Sequence, residues 1–227
     1  MARVSTWLVT GANRGIGLEL CRQLAARGDE VIATAREPDS ADELRRLDVR
    51  VEPLELRDQA SADRLARALE GAALDVLVNN AGLGGAGPGI GELDWEIIAD
   101  HFAINAIGPM RVAQALLPAL RRGRGRKIAH LSSDLASIGG NQSGGYYGYR
   151  SSKAALNMMN RSLAHELRPD GFICLALHPG WLQTDMGGPR APVPVADGVA
   201  RVLRVIDTAG PADSGKFVSY SGAELPW

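Results

Sequence analysis

The 227 residues carry 25 basic and 26 acidic side chains, a formal net charge of −1, with 45% hydrophobic and 22% charged residues. A balance this close to neutral excludes a global attraction to nucleic acid or anionic membranes. The ordinary apolar share excludes a disordered, fibrous or coiled-coil chain, and the length lets one domain bury most of its apolar surface without disulfide or metal staples.

In chain order, short apolar runs at 4–9, 30–35, 49–54, 76–79, 127–132, 172–177 and 216–220 read as strands. Between them apolar residues recur three or four apart, as in Ile16, Leu20 and Leu24, then Leu65 and Leu69, then Ala155, Met159, Leu163 and Leu167. Strand, helix, strand repetition implies right-handed crossovers and a parallel sheet covered on both faces. The pattern predicts an α/β chain: a single doubly wound Rossmann-type domain over 1–227, with a parallel sheet of about seven strands. Glycine-rich 82–91 and the GGPRAPVP stretch at 187–194 read as loops, the second placed like a short lid before a helix starting near Val195. No run approaches the ~18 apolar residues of a membrane span. The apolar run after Arg3 lacks a cleavage-type pattern, so no signal peptide is expected. Cys21 falls in a helical segment and Cys174 in a strand, so both are expected as buried free thiols of a reducing, cytoplasmic compartment.

The segment Thr10-Gly11-Ala12-Asn13-Arg14-Gly15-Ile16-Gly17 lies where the first strand meets the first helix. Glycines at 11, 15 and 17 allow a tight turn, close approach of backbone to a pyrophosphate and close helix–strand packing. The helix N-terminus then offers free N–H groups to phosphates. No Walker-type lysine accompanies it, which argues against an NTPase. Asn79-Asn80-Ala81-Gly82 follows the fourth strand, where asparagine amides can brace backbone and the small pair leaves room for a flat ligand. In the helical segment 95–120, Pro109 has no N–H for the carbonyl of Asn105, which predicts a kink near Gly108-Pro109 and a freed carbonyl able to hold a water. Ser132 and Ser133 close the fifth strand, at the sheet edge where ligands sit.

Tyr149 and Lys153 stand one helical turn apart and project from one face. A nearby ammonium would lower the phenol's pKa from about 10 toward useful acid–base work. Tyr146 before Arg150 and Tyr147 before Ser151 are competing registers. Pro179-Gly180 follows the sixth strand, with Thr184 beyond. The basic run 121–127 sits at a helix C-terminus, where cations are favoured, and reads as a solvated loop rather than a nucleic-acid patch. Histidines 101, 130, 165 and 178 lack metal spacing, so no metal is expected.

In this order the elements TGANRGIG, NNAG, Asn105, Ser-Ser, Tyr-Arg-Ser-Ser-Lys and HPGW resemble the short-chain dehydrogenase/reductase family along the whole chain. The stretches 137–150 and 178–188 and the final Pro226-Trp227 look closest to its C-factor and sniffer-like carbonyl reductase branch. The resemblance implies an oxidoreductase transferring hydride between a nicotinamide dinucleotide and a small carbonyl or alcohol, with a dinucleotide-binding signalling module of C-factor type as the alternative. It implies Tyr149 as general acid, Lys153 as its partner and holder of the nicotinamide ribose, Ser133 on the substrate carbonyl, and Asn105 on a water leading from Lys153 to solvent. It also implies a cofactor lined by Gly11, Asn13, Arg14, Gly15, Ile16, Gly17, Arg36, Glu55, Leu56, Asn79, Ala81, Gly82, Pro179, Gly180 and Thr184. The end of the second strand reads Thr34-Ala35-Arg36, without the acid that would bond a ribose 2′-OH, while Arg36 and Arg14 could clamp a 2′-phosphate; NADP(H) is therefore expected over NAD(H). After the third strand, Glu55 stands where many relatives carry an aspartate. Tyr146, Tyr147, Trp181 and Met186 are expected to line a rather open pocket. A homo-oligomer, dimer or tetramer, built on the helices 95–120 and 149–168, is the family expectation; no nucleic-acid or membrane partner is expected.

Overall fold

A computed structural model describes residues 4–85 and 89–227, so part of the glycine-rich 82–91 loop lies outside the described residues. Seven strands, β1 Thr6–Val9, β2 Glu30–Ala35, β3 Arg50–Pro53, β4 Val76–Asn79, β5 Lys127–Leu131, β6 Ile173–His178 and β7 Phe217–Ser219, form one sheet. Its order is β3-β2-β1-β4-β5-β6-β7, with every adjacent pair parallel. Helices α1 Gly15–Ala26, α2 Asp42–Arg45, α3 Gln59–Ala68, α4 Trp95–Phe102, α5 Gly108–Arg122, α6 Tyr147–Glu166 and α7 Val195–Thr208 supply the connections. The predicted strands 30–35 and 76–79 coincide with β2 and β4. The others run one or two residues off at their ends, because pairing with a neighbour rather than apolarity sets where a strand stops.

Successive strand side chains point to opposite faces, and β1 shows how this divides the core. Trp7 and Val9 join Leu20 and Leu24 of α1 and Val199, Val202 and Ile206 of α7. Leu8 faces the other way, onto Leu65 of α3 and Leu116 and Leu120 of α5. Each such leucine contributes about 1.5–3 kcal/mol by burial. Cys21 and Cys174 lie one in each layer as free thiols, pushed up to about 12 by burial. No described helix is long and apolar enough to cross a membrane.

One local outcome differs from expectation. The segment 95–120 does not simply kink at Gly108-Pro109: a π turn, Ala103–Ile107, joins α4 to α5. Pro109 cannot donate and its ring crowds the carbonyl four residues back. Widening the turn by one residue accommodates it, and the Gly108 N–H finds the Ala103 carbonyl instead. The basic run 121–127 is exposed at Arg121, Arg122 and Arg124, as expected of a solvated stretch, but several of its side chains are also tied to neighbouring elements. Arg121 pairs with Asp170, Arg122 donates to the Ala72 carbonyl, and Lys127 Nζ donates to the Ile206 and Asp207 carbonyls at the end of α7. Those carbonyls have no intrahelical donor, so a cation satisfies them.

Candidate active site

The chain order of the sheet reverses between β1 and β4, and the crevice beyond their ends is where ligands bind in such sheets. Gly11 and Gly15 take positive φ (63° and 55°), a region that glycine enters without strain. A Cβ on Gly17 would lie 2.4 Å from the Gly11 carbonyl oxygen, so the turn can only be this tight with glycine there. Asn80 braces it from β4: its Nδ2 donates to the Thr10 and Gly11 carbonyls at 2.7 and 3.0 Å. Arg14, the residue before α1, is extended and offers no capping side chain. The first N–H groups of α1 therefore face the crevice without a capping oxygen, as a pyrophosphate requires.

At the other end of the crevice the π turn carries Asn105 inward, fully buried. Its Oδ1 accepts the Leu83 N–H at 2.8 Å, and its Nδ2 donates to the Leu83 carbonyl at 2.9 Å and to Ser152 Oγ at 3.1 Å. The amide thus clamps the chain beyond β4 to α6. Lys153, 5% exposed on α6, donates to the Leu131 carbonyl at 2.7 Å. A Cβ on Gly82 would come 3.1 Å from Asn105 Oδ1 and 3.4 Å from Lys153 Nζ. The missing side chain leaves a cradle in which Lys153 meets a bound group, so the residues present fit a dinucleotide at both ends.

Tyr149 is partly buried and lies with its ring centroid 6.0 Å from Lys153 Nζ. The competing registers are out of play. Tyr146 sits in a left-handed conformation before α6, Arg150 turns to Ser143, and Ser151 bonds back to the Tyr147 carbonyl. Ser132 Oγ is committed to Asn157 at 2.7 Å, leaving Ser133 as the hydroxyl that bears on Tyr149.

The electrostatics correct one expectation. Burial holds the Tyr149 phenol above its usual 10; the Ser133 hydrogen bond pulls the other way and the Asp134 carboxylate adds to the rise. The ammonium was expected to lower it, but Lys153 points its charge at the Leu131 carbonyl, and burial wins. Burial also pushes Lys153 down to about 8. Tyr149 is therefore a protonated acid at neutral pH, beside a lysine whose charge is easily lost.

The remaining predicted residues divide between pocket and scaffold. Asn79 is buried, its Nδ2 shared between the Pro109 carbonyl and His130 Nδ1. Leu56 packs in the core against Gly108, and Glu55 Oε1 accepts the Arg57 N–H. Ala81 stands against Gly11, where a Cβ would approach within 2.7 Å, and Thr184 stands against Gly15. Pro179 is buried, and Gly180 at φ 92° backs onto the Tyr220 ring. Asn13, Arg14 and Arg36 are exposed, with Arg14 3.3 Å from Asp185. Tyr146, Tyr147, Trp181 and Met186 are all exposed. Sequence reasoning missed Ser152, His130 and His178. Burial pushes His130 down to about 3, with Lys153 adding to the shift, so it stays neutral. Nothing in their spacing marks them; only packing brings them to the site.

The short chain dehydrogenase family profile matches residues 5–192. The C-signal of Myxococcus xanthus is 52% identical over 154 residues, spanning 68% of this chain and 93% of that one. Among solved structures, carbonyl reductase Sniffer of D. melanogaster superposes with a TM-score of 0.93 at 34% identity, covering 99% of this chain and all of that one. The NADPH-bound carbonyl reductase from chicken fatty liver does so with a TM-score of 0.93 at 36% identity and the same coverage. With its doubly wound sheet, Ser133 just beyond β5 and Tyr149 and Lys153 on α6, this chain belongs to the short-chain dehydrogenase/reductase family and is an NAD(P)H-dependent oxidoreductase.

Proposed function

We propose that the protein is an NADPH-dependent carbonyl reductase acting on small aldehydes or ketones, and on the alcohols in reverse. The observation that carries this reading is the meeting of Ser133, Tyr149 and Lys153 at one end of a crevice whose other end is the bare N-terminus of α1. When bound, the nicotinamide dinucleotide supplies the hydride. The N–H groups of α1 would hold its pyrophosphate, Ala81 and Gly82 would leave room for it, and Pro179, Gly180 and Thr184 would border it. Lys153, beside the Gly82 cradle, would hold the ribose hydroxyls. Ser133 donates to the substrate carbonyl oxygen, and Tyr149 delivers the proton that oxygen takes up. Lys153 then passes a proton toward Tyr149 from a water at Asn105. Arg36, exposed directly after Ala35 and outside every ion pair among the described residues, is the group that meets a 2′-phosphate, with Arg14 beside it once freed from Asp185.

The likeness to a C-signal favours one other reading, a dinucleotide-binding signalling module. Purified protein mixed with NADPH or NADH and a panel of carbonyls, with cofactor oxidation followed, separates the two. Turnover with NADPH preferred supports the reductase. Tight NADPH binding without turnover across the panel supports the module. Exposed Trp95, Ile107 and Met158 on α4, the π turn and α6 support assembly as a homo-oligomer, which sedimentation would report. The two free thiols suit a cytoplasmic setting.

A further inference from the structure

We propose that His178 is a positioning residue for Ser133: its Nδ1 accepts the Asp134 backbone N–H at 3.1 Å and fixes the peptide on which the Ser133 hydroxyl is mounted. The proposal rests on the reductase reading for the work Ser133 does, but not for the contact itself.

The contact replaces a missing rung. The β5–β6 ladder pairs Leu131 with Leu177, and the Ser132 N–H still reaches the Leu177 carbonyl at 2.8 Å. Two residues on, β6 has ended and the chain turns through Pro179-Gly180, so no strand carbonyl is left for the Asp134 N–H. The imidazole of His178, the last residue of β6, takes that place. Ser133 then sits between two held peptides. Its Oγ accepts the Leu135 N–H at 3.2 Å and donates to Asp134 Oδ1 at 3.1 Å, while its carbonyl accepts the Ala136 N–H at 2.9 Å.

The ring is itself held. His178 is 14% exposed at its side chain and meets the Tyr220 ring edge-on at 6.3 Å. The Tyr220 N–H donates to the His178 carbonyl at 2.8 Å. Behind Tyr220 stand Gly180 and the Arg201 guanidinium, 5.5 Å from the ring centroid. A backbone N–H can only donate, so Nδ1 is the acceptor, the proton is on Nε2 and the ring is neutral. Burial favours that state by pushing its pKa below 6.5, against the pull of the Asp134 carboxylate. The far end of the loop has its own anchor, the Trp227 carbonyl, which accepts the Gly139 N–H at 2.8 Å and Ser137 Oγ at 3.4 Å. Loss of His178 therefore loosens Ser133 without releasing the loop.

A double-mutant cycle tests this, with NADPH and an aldehyde as substrates. His178→Ala is expected to lower kcat about tenfold to a hundredfold, the cost of a small misplacement in an active site. The KM for NADPH is expected to stay the same. His178→Asn, whose Oδ1 can stand where Nδ1 stood, is expected to restore most of the rate. Because His178 acts through Ser133, the double variant with Ser133→Ala is expected to be no slower than Ser133→Ala alone. Multiplying losses, or no rescue by asparagine, would overturn the inference. A second measurement needs no turnover: the ultraviolet titration of Tyr149 in cofactor-free protein, isolated by difference against Tyr149→Phe. Tyr149 faces Ser133, Asp134, His101 and Lys153. Loosening Ser133 withdraws its hydrogen bond, so the Tyr149 midpoint is expected to rise in His178→Ala and return in His178→Asn. An unmoved midpoint overturns the inference whatever the substrate, whereas absent turnover in the unaltered protein strikes only the reductase reading.

Discussion

Around Asn105 and Lys153 the crevice is built from buried groups tied to backbone at 2.7–2.9 Å, whereas at its other end Arg14 and Arg36 stand in solvent on loops. Both ends handle charge, but in different surroundings. The buried end is held from several elements at once, α6, the π turn and the chain beyond β4, so a change there alters geometry that chemistry depends on. The exposed end is screened by water and salt, and its side chains are free to turn toward whichever ligand arrives. The buried end is thus fixed by packing, while the exposed end presents a few surface charges.

That contrast can be broken most sharply at Tyr149. Tyr149→Phe is expected to lower kcat by about 10²–10⁴, the usual contribution of a positioned general acid, with the dissociation constant for NADPH little changed. Near-normal turnover would mean that the proton comes from elsewhere. The glycine turn belongs structurally with the buried end. Gly17→Ala would force a Cβ onto the Gly11 carbonyl and within 2.9 Å of Ala12 Cα. We expect a loss of about 1–3 kcal/mol in denaturant unfolding, as for overpacked sites, with weaker cofactor binding.

At the exposed end Arg36→Ala is expected to weaken NADPH about tenfold or more, the scale of a charge-assisted contact to phosphate, and to leave NADH affinity unchanged. Equal losses would reject the phosphate contact. The carbonyl-reduction rate is expected to fall as pH rises through about 8, because Lys153 holds its charge only below that value in the cofactor-free protein. Tyr149, held above 10, stays protonated across that range. A rate flat past pH 8 would show that Lys153 keeps its charge once the cofactor is bound. The smallest effect belongs to the exposed Arg14–Asp185 pair, whose side chains are 72% and 81% exposed. Asp185→Asn should change stability by no more than about 0.5 kcal/mol; a larger change would mean that this pair ties the glycine turn to the lid.

Much of this is legible in the sequence. The glycine spacing from Thr10 to Gly17 carried its turn, because positive φ and close approach are demands that only glycine meets. Tyr149 and Lys153 carried theirs, because four residues on a helix set a shared face. Asn105 was legible as a site but not as a clamp: its amide reaches Leu83 and Ser152, partners distant in the chain that no local pattern announces. Pro109 announced a disturbance, yet whether a kink or a wider turn resolves it depends on Leu56 and Ala103 beside Gly108. The contacts that anchor the exposed basic run 121–127 are not legible, because its acceptors, Asp170 and the end of α7, lie far along the chain.

The sequence by itself determined the alternation of strands and helices, the glycine turn and the spacing of Tyr149 and Lys153, since periodicity and backbone stereochemistry are local properties. Only the tertiary structure decided how far each titrating group is removed from water, and therefore that the Tyr149 phenol rises rather than falls. It alone brought the His178 ring, from the neighbouring strand, under the Ser133 peptide. Desolvation and cross-strand contact depend on what other parts of the chain come to rest nearby, and a linear string of residues does not carry that information.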